Sequence, residues 1–587
     1  MNYKLVLFWV LTGILLFVFL QTQYAYLFFF NEQSHLFLND FDFLKEHLIT
    51  PGGLSFLVSD FFTQFYIFPY VGALLTTIIV TVTACIIGEI IRKTSGSSAW
   101  VIAGWIPAIA QVWVITDYNS SFAGVLSFLA MSQIIWLCLY IPSNRFRLLM
   151  ESVLGVCLIW LAGSIGMLFA VWCLFFETIM QKEKKWMGFL PFIICFSLSY
   201  VLSYLLIIND FRFAFLPDLY YHTSLQPKPV IYFPWIAFLV LTSIALLIQT
   251  KKWKPIHQST LHGCIFITLL LTGTWSYWGT RHFGEFKSLQ FMKLDYLSRT
   301  SQWKEIETEC KGKLNNFLYM NLLARALAEQ GKLAEKMFNY DLKGPASLAV
   351  SWNKTEEIST LLSDICFTGG NITLSQRLAF EGNISSRGNY NARLLQRLVQ
   401  TNLIFGEYAV AEKYICLLEK SWSYKDWAQE HKKFLYNEQR VKADEVLGAK
   451  RMLLPAYNDS SKLKLTGEDL ETIMTMPLLA HPEQARSAFE YLAGYYLLKK
   501  DLPKFLHMID LYSTRLLPKL PTSYQEALIA AYESQPEALK KYHLDQQILN
   551  KYSAFRKAVL NNKHNSNLGR MLFRTYGQTY WYYLLFK

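Results

Sequence analysis

Asp40 and Asp42 stand two residues apart, with Phe41 and Phe43 beside them. In an extended backbone that spacing sends both carboxylates to one face. Such a pair would hold a divalent ion, Mg²⁺ or Mn²⁺, which takes carboxylate oxygen together with phosphate oxygen. Alternatively, one carboxylate would take the proton from an acceptor hydroxyl. The same residues also read as a helix start, with Asn39 or Asp40 as the cap and acids in a first turn that suits the helix dipole. Further along the chain, Arg212, Tyr221 and His222 offer a guanidinium fork and hydrogen-bonding groups suited to a phosphate, and Arg281 adds a second cation. Their plainer reading is contact with lipid headgroups or interfacial anchoring.

The elements that must position these groups divide by composition. The chain has 587 residues, 53% of them hydrophobic and only 17% charged, which argues against a wholly soluble protein. Residues 1–278 hold about 26 charged side chains and 279–587 about 74, so the chain meets two solvents on either side of one border. The first part reads as a helical membrane domain, because lipid offers no partner for an open backbone N–H or C=O. Apolar runs of about the length that a bilayer needs predict nine spans, at 5–20, 70–91, 99–115, 120–140, 148–161, 164–180, 186–208, 229–249 and 259–277. Gly163-Ser164 supplies a tight turn that splits 148–180 into two of them.

Loop charge sets the expected orientation. With the N-terminus cytoplasmic, the inside segments hold Lys4, Arg92, Lys93, Arg145, Arg147, Lys182, Lys184, Lys185, Lys251, Lys252 and Lys254, and the outside loops only Lys45, Arg212 and Lys228. The outside loops are 31–69 and 209–228, which places Asp40, Asp42, Arg212, Tyr221 and His222 on the same side as the tail. Glu89, Glu151 and Glu177 fall near span ends and read as snorkelling, which gives transport little support.

The tail, 279–587, predicts an irregular all-α solenoid of amphipathic helix pairs with turn residues Gly331, Gly406 and Asp501-Leu502-Pro503. Ala324, Ala328, Ala334, Ala409 and Ala411 would let paired helices approach closely. These units resemble tetratricopeptide repeats in their turn glycines and packing alanines. Cys310, Cys366 and Cys416 read as buried thiols, and the aromatic end Tyr580-Trp581-Tyr582-Tyr583 as a segment docked on the tail's own helices or on the membrane interface. The tail's basic residues are interspersed with acids, so nucleic acid is not an expected partner. The chain contains no P-loop, GxSxG elbow or HExxH, which removes support for nucleotide hydrolysis and zinc protease chemistry.

Asn39-Asp40-Phe41-Asp42, with the stretch from Pro51-Gly52-Gly53-Leu54 to Phe68-Pro69-Tyr70-Val71-Gly72, resembles the first outside loop of the GT-C class of polyprenyl-phosphate-dependent glycosyltransferases. The resemblance implies transfer of a sugar from a lipid-phosphate donor on the outer face of a bacterial inner membrane. Asp40 and Asp42 would then be base or metal ligands, and Arg212, Tyr221, His222 and Arg281 would bind the phosphate. The whole chain, through Lys293-Leu294-Asp295-Tyr296-Leu297 to Tyr580-Trp581-Tyr582-Tyr583, is also similar to an uncharacterised bacterial family of multi-pass proteins with helical-repeat tails. That likeness implies no particular activity; the nine-span count places the tail on the periplasmic side, and the alternative to the enzyme is a non-enzymatic membrane-anchored scaffold whose tail recruits an envelope protein or glycan.

Overall fold

The computed structural model describes residues 3–180, 185–208, 210–217, 227–250, 258–284, 286–386, 390–455 and 469–587. Tyr221 and His222 therefore lie outside the described residues. Every regular element described is a helix, and the chain divides into two compact units, Met1–Leu289 with Lys420–Ser423, and Gln290–Glu419 with Tyr424–Lys587.

The first unit comprises α1 (Tyr3–Gln33), α2 (Phe41–Ile49), α3 (Gly53–Thr63), α4 (Val71–Ser95), α5 (Trp105–Ile115), α6 (Phe122–Cys138), α7 (Asn144–Ala162), α8 (Ile165–Met180), α9 (Phe189–Tyr204), α10 (Phe233–Thr250) and α11 (Gln258–Phe283). Four described helices are long and apolar enough to cross a membrane: Leu5–Gln33, Val71–Ser95, Trp186–Tyr204 and Pro229–Gln249. Among the described residues four candidate spans are found, not the nine predicted. Trp100–Ile115, Phe122–Cys138 and Ile165–Met180 are apolar but short, and at about 1.5 Å per residue they fall below a hydrocarbon core of about 30 Å. Helix α7 carries Arg145, Arg147 and Glu151.

The expected break within 148–180 is present: α7 ends at Gly163, whose φ of 75° and ψ of −136° suit glycine, and α8 folds back. Helix α4 packs against α1, α5, α6 and α10. It meets the segment Ser98–Gly104 so closely that a Cβ on Gly104 would lie 2.3 Å from the carbonyl oxygen of Ala84. Around this crossing Ile87, Ile90, Phe128, Met131, Ile135, Phe169, Trp172 and Phe238 form a buried core.

The second unit takes in most of α12 (Phe286–Arg299) and then α13 (Trp303–Glu309), α14 (Phe317–Glu329), α15 (Leu333–Lys336), α16 (Glu356–Gly369), α17 (Ile372–Ile384), α18 (Ala392–Phe405), α19 (Tyr408–Glu419), α20 (Lys425–Lys432), α21 (Glu438–Ala443), α22 (Glu445–Arg451), α23 (Leu470–Ala480), α24 (Arg486–Lys499), α25 (Leu502–Leu516), α26 (Thr522–Ala531), α27 (Gln546–Asn561), α28 (Leu568–Tyr576) and α29 (Tyr580–Phe586). Side-chain caps begin many of these helices: Asn316, Thr355, Asn371, Asn391 and Asp501 each accept a backbone N–H from the first turn. The predicted pairs α18–α19 and α24–α25 are present, whereas α15 is a single turn that continues as 3₁₀ helix.

The expected solenoid would stack each pair on its neighbours alone. Instead α24 packs on α14, α15 and α16, and α26 packs on α15. Polar bridges reinforce this closure: Thr522 Oγ1 donates to Glu335 at 2.6 Å, and Ser523 Oγ to the Ala334 carbonyl. Of the packing alanines, Ala324, Ala328, Ala334 and Ala411 are buried and Ala409 is exposed. Cys310 and Cys366 are buried as expected, but Cys416 is exposed. The aromatic end docks on its own unit, where Trp581 Nε1 donates to the Glu526 carbonyl at 2.7 Å.

Candidate functional site

The segment after α1 is tied down by backbone hydrogen bonds. Asp40 is extended (φ −142°, ψ 140°), and its carbonyl accepts the first α2 bond from Leu44 N. Its carboxylate pairs with Lys420 Nζ at 2.7 Å, within the first unit. Asp42 is already helical, in the exposed first turn of α2. The pair therefore sits at a helix start rather than along a strand. As a cation site it is incomplete, because an ammonium group already occupies Asp40. Among the described residues no group of three His, Cys, Asp or Glu side chains is placed to hold a metal ion.

The far end of α2 is pinned to α7. Gly52 N donates to the Trp160 carbonyl at 2.8 Å, and Trp160 Nε1 donates to the Leu48 carbonyl at 3.3 Å. There Thr50 and Pro51 from the first predicted outside loop meet Phe213 and Ala214 from the second, around a cavity of about 230 Å³ that Ser164 and Ser199 also line. Ser164 Oγ donates to the Leu216 carbonyl at 2.6 Å, which fixes one wall. Arg212 precedes Phe213 in the 3₁₀ turn Phe211–Phe215. Its side chain is 91% exposed, and it lies 4.0 Å from the Asp210 carboxylate. Arg281 lies in the last turn of α11 and donates to Tyr277 Oη at 2.8 Å. The two loops thus meet, but the acidic pair stands at the opposite end of α2, about 14 Å away at 1.5 Å per residue.

Two further arrangements in this unit escape a reading by sequence spacing. His35 Nδ1 lies 3.2 Å from Asp60 Oδ1, and Asp60 is buried beside Ser59 and Gln64, whose side-chain oxygens have no hydrogen-bond partner among the described residues. Arg147 of α7 bonds Glu177 of α8 at 2.6 Å and lies 3.8 Å from Glu151. Both carboxylates are fully buried, unlike the side chains expected to snorkel, whereas Glu89 is partly exposed and pairs with Arg92 at the end of α4. Helix spacing places Arg147 and Glu151 together, but only the α7–α8 fold-back brings in Glu177.

In the second unit one acid joins three helices, and a second acid ties in a fourth. Asp364 of α16 accepts from Arg325 of α14 at 2.7 Å and from Arg393 and Arg397 of α18 at 2.6 and 2.8 Å, and Arg393 also bonds Asp295 of α12 at 2.7 Å. Burial alone would raise the Asp364 pKa, but the three guanidinium groups overcome it and hold the carboxyl well below the usual carboxylate range. Nearby, Lys450 Nζ donates to the Thr368 carbonyl at 2.8 Å, and burial lowers its pKa to about 8. Pairing this dense closes the site to ligands and makes it a structural clasp.

Several helices long and apolar enough to span a bilayer, joined in one chain to a charged helical unit, define a membrane-associated all-helical protein. Over residues 1–587 the chain matches the family described as "Family of unknown function (DUF6057)", and it belongs to that family. No curated protein and no solved structure matches it.

Proposed function

We propose that this protein is a membrane-anchored platform: the apolar unit fixes it in a bacterial inner membrane, and the charged helical unit recruits an envelope partner on the periplasmic side. The observation that carries this reading is the separation of the groups suited to chemistry. Asp40 is held by Lys420, and Asp42 lies in a helix first turn. The loop cavity lies a full α2 length from both, about 14 Å. A base or metal ligand must stand within about 3 Å of the atom it serves, so these groups act as loop structure. In a deletion strain, the double variant Asp40→Asn/Asp42→Asn restores growth under envelope stress and leaves the surface-glycan profile unchanged. Loss of a glycan band at normal protein abundance would overturn the platform reading.

One observation favours a second reading, glycosyl transfer from a polyprenyl-phosphate sugar donor. The loops at 31–69 and 209–228 do meet, around the cavity walled by Thr50, Pro51, Phe213 and Ala214. In that case Lys420 gives way, Asp40 and Asp42 serve as base or as ligands to Mg²⁺ or Mn²⁺, and Arg212, Tyr221, His222 and Arg281 gather round the lipid phosphate. The same glycan assay separates the two readings.

A further inference from the structure

The second unit carries an open groove of about 700 Å³ between the C-terminal end of α24 and the turn at 341–345. Lys343, Lys499, Lys500 and Lys587 border it, together with Asp341 and Tyr583. Four ammonium groups thus face one side-chain carboxylate. Asp341 takes up part of this charge, from Lys587 at 2.9 Å and Lys343 at 3.5 Å. Lys499 and Lys500 are exposed; Lys500 Nζ donates to the Leu584 carbonyl at 3.1 Å and lies 5.8 Å from the centre of the Tyr583 ring, and Lys499 Nζ lies 5.5 Å from that of Tyr495.

A helix C-terminus ordinarily repels an anion, because its last carbonyls carry partial negative charge. Here those carbonyls are occupied. Lys500 N donates to Leu497, Asp501 N to Tyr496, and Tyr583 Oη to Leu498, at 3.1, 2.9 and 2.9 Å. Lys500 itself has φ 61° and ψ 26°, a left-handed conformation in which glycine is the easier residue. A lysine at this position adds an ammonium to the groove rim where the backbone would favour a residue with no side chain.

We propose that this groove binds an oligoanionic ligand carrying neighbouring phosphate groups. Lysine ammonium groups bind phosphate as movable point charges, so a cluster of them adapts to several neighbouring phosphate oxygens without the fixed bidentate geometry of arginine. The volume lies within the range of small-molecule sites, about 300–1,000 Å³, and accommodates more than one phosphate. The phosphates would belong either to a soluble phosphate chain or to a lipid headgroup. The site deepens the platform reading and rests on it by naming the chemistry that the helical unit recruits.

The test uses the full chain in detergent micelles, titrated calorimetrically with sodium tripolyphosphate and, separately, with micelle-soluble dioctanoylglycerol pyrophosphate, a lipid whose headgroup carries two adjacent phosphates. The groove variant is Lys499→Gln/Lys500→Gly, in which glycine also relieves the left-handed backbone. The control is Lys540→Gln/Lys563→Gln, two exposed lysines elsewhere on the unit that remove the same charge. At least one probe binds the wild type. The groove variant weakens that binding by about tenfold or more, the control changes it by less than about twofold, and added salt weakens it further, as screening requires. Binding of tripolyphosphate alone assigns the groove to a soluble phosphate chain. Binding of the lipid, alone or with tripolyphosphate, assigns it to a headgroup. If neither probe binds, or if both variants weaken binding equally while unfolding at the wild-type temperature, the groove is not a phosphate site. Because binding is read on purified protein, that failure is distinct from failure of the platform reading, which the glycan profile decides.

Discussion

Arg147 on α7 and Glu177 on α8 meet at 2.6 Å, both withdrawn from solvent, inside a hairpin whose turn is a single left-handed glycine. Glu151 lies one helical turn along α7, 3.8 Å from the same guanidinium, and its carboxylate oxygens have no hydrogen-bond partner among the described residues. Two acids therefore share one cation in a region of low dielectric.

The arrangement predicts opposite outcomes for two substitutions. Arg147→Met leaves Glu177, its partner at 2.6 Å, without its cation and is expected to destabilise the first unit by about 3–5 kcal/mol. Glu151→Gln keeps the shape while replacing a buried carboxyl that has no hydrogen-bond partner among the described residues, and is expected to be neutral or stabilising. Thermal unfolding of the purified chain in detergent checks both. Equal losses for the two variants would show that Glu151 has a stabilising role the geometry does not provide.

The clasp in the second unit makes a related prediction. Asp364→Asn withdraws the one carboxylate shared by Arg325, Arg393 and Arg397, and is expected to cost about 3–5 kcal/mol because buried guanidinium groups lose their counter-charge. Asp295→Asn costs less, since Arg393 keeps Asp364. The Asp364 pKa is depressed by folding, so its contribution is fully present above the unfolded value of 3.8 and is lost only as pH falls through the lower folded value. Hydrogen exchange across α14, α16 and α18 reads both effects. Protection that collapses between pH 7 and pH 5 would contradict the assignment.

What was legible in the sequence followed periodicity and turn chemistry. Gly163 marks the α7–α8 break and Gly406 the α18–α19 turn. Span counting failed at Trp100–Ile115, Phe122–Cys138 and Ile165–Met180, because hydropathy alone does not separate a buried helix about 16 residues long from one that crosses a bilayer. Pair rhythm is local and predicts a stack, whereas the packing of α24 on α14 to α16 joins residues more than a hundred positions apart. The same limit hid the polar clusters. Asp40 and Asp42 are conspicuous because they are adjacent, yet His35 with Asp60, Arg147 with Glu177, and Asp364 with its three arginines exist only once helices fold together.

The docked end of the chain carries a pH dependence of its own. Glu526 on α26 is buried, and Tyr580 N donates to its Oε2 at 2.7 Å while Trp581 Nε1 donates to its backbone carbonyl. Burial raises its carboxyl from 4.5 to about 7. The Tyr580 N–H and Lys551 oppose that rise, and Glu335 adds to it. Folding therefore favours the protonated form. The resulting stability is fully present below pH 4.5 and is lost as pH rises through about 7, by an amount on the order of 3 kcal/mol. Helix α29 is expected to exchange its amide hydrogens faster at pH 8 than at pH 5, after correction for intrinsic exchange, while α14 and α16 change little. Glu526→Gln keeps an oxygen for Tyr580 N and cannot ionise, so its α29 protection should be flat across this range and exceed that of the wild type at pH 8. A variant that follows the wild-type curve would assign the loosening to another group, and Glu335, which bonds Thr522 on the same helix, would be the next to substitute.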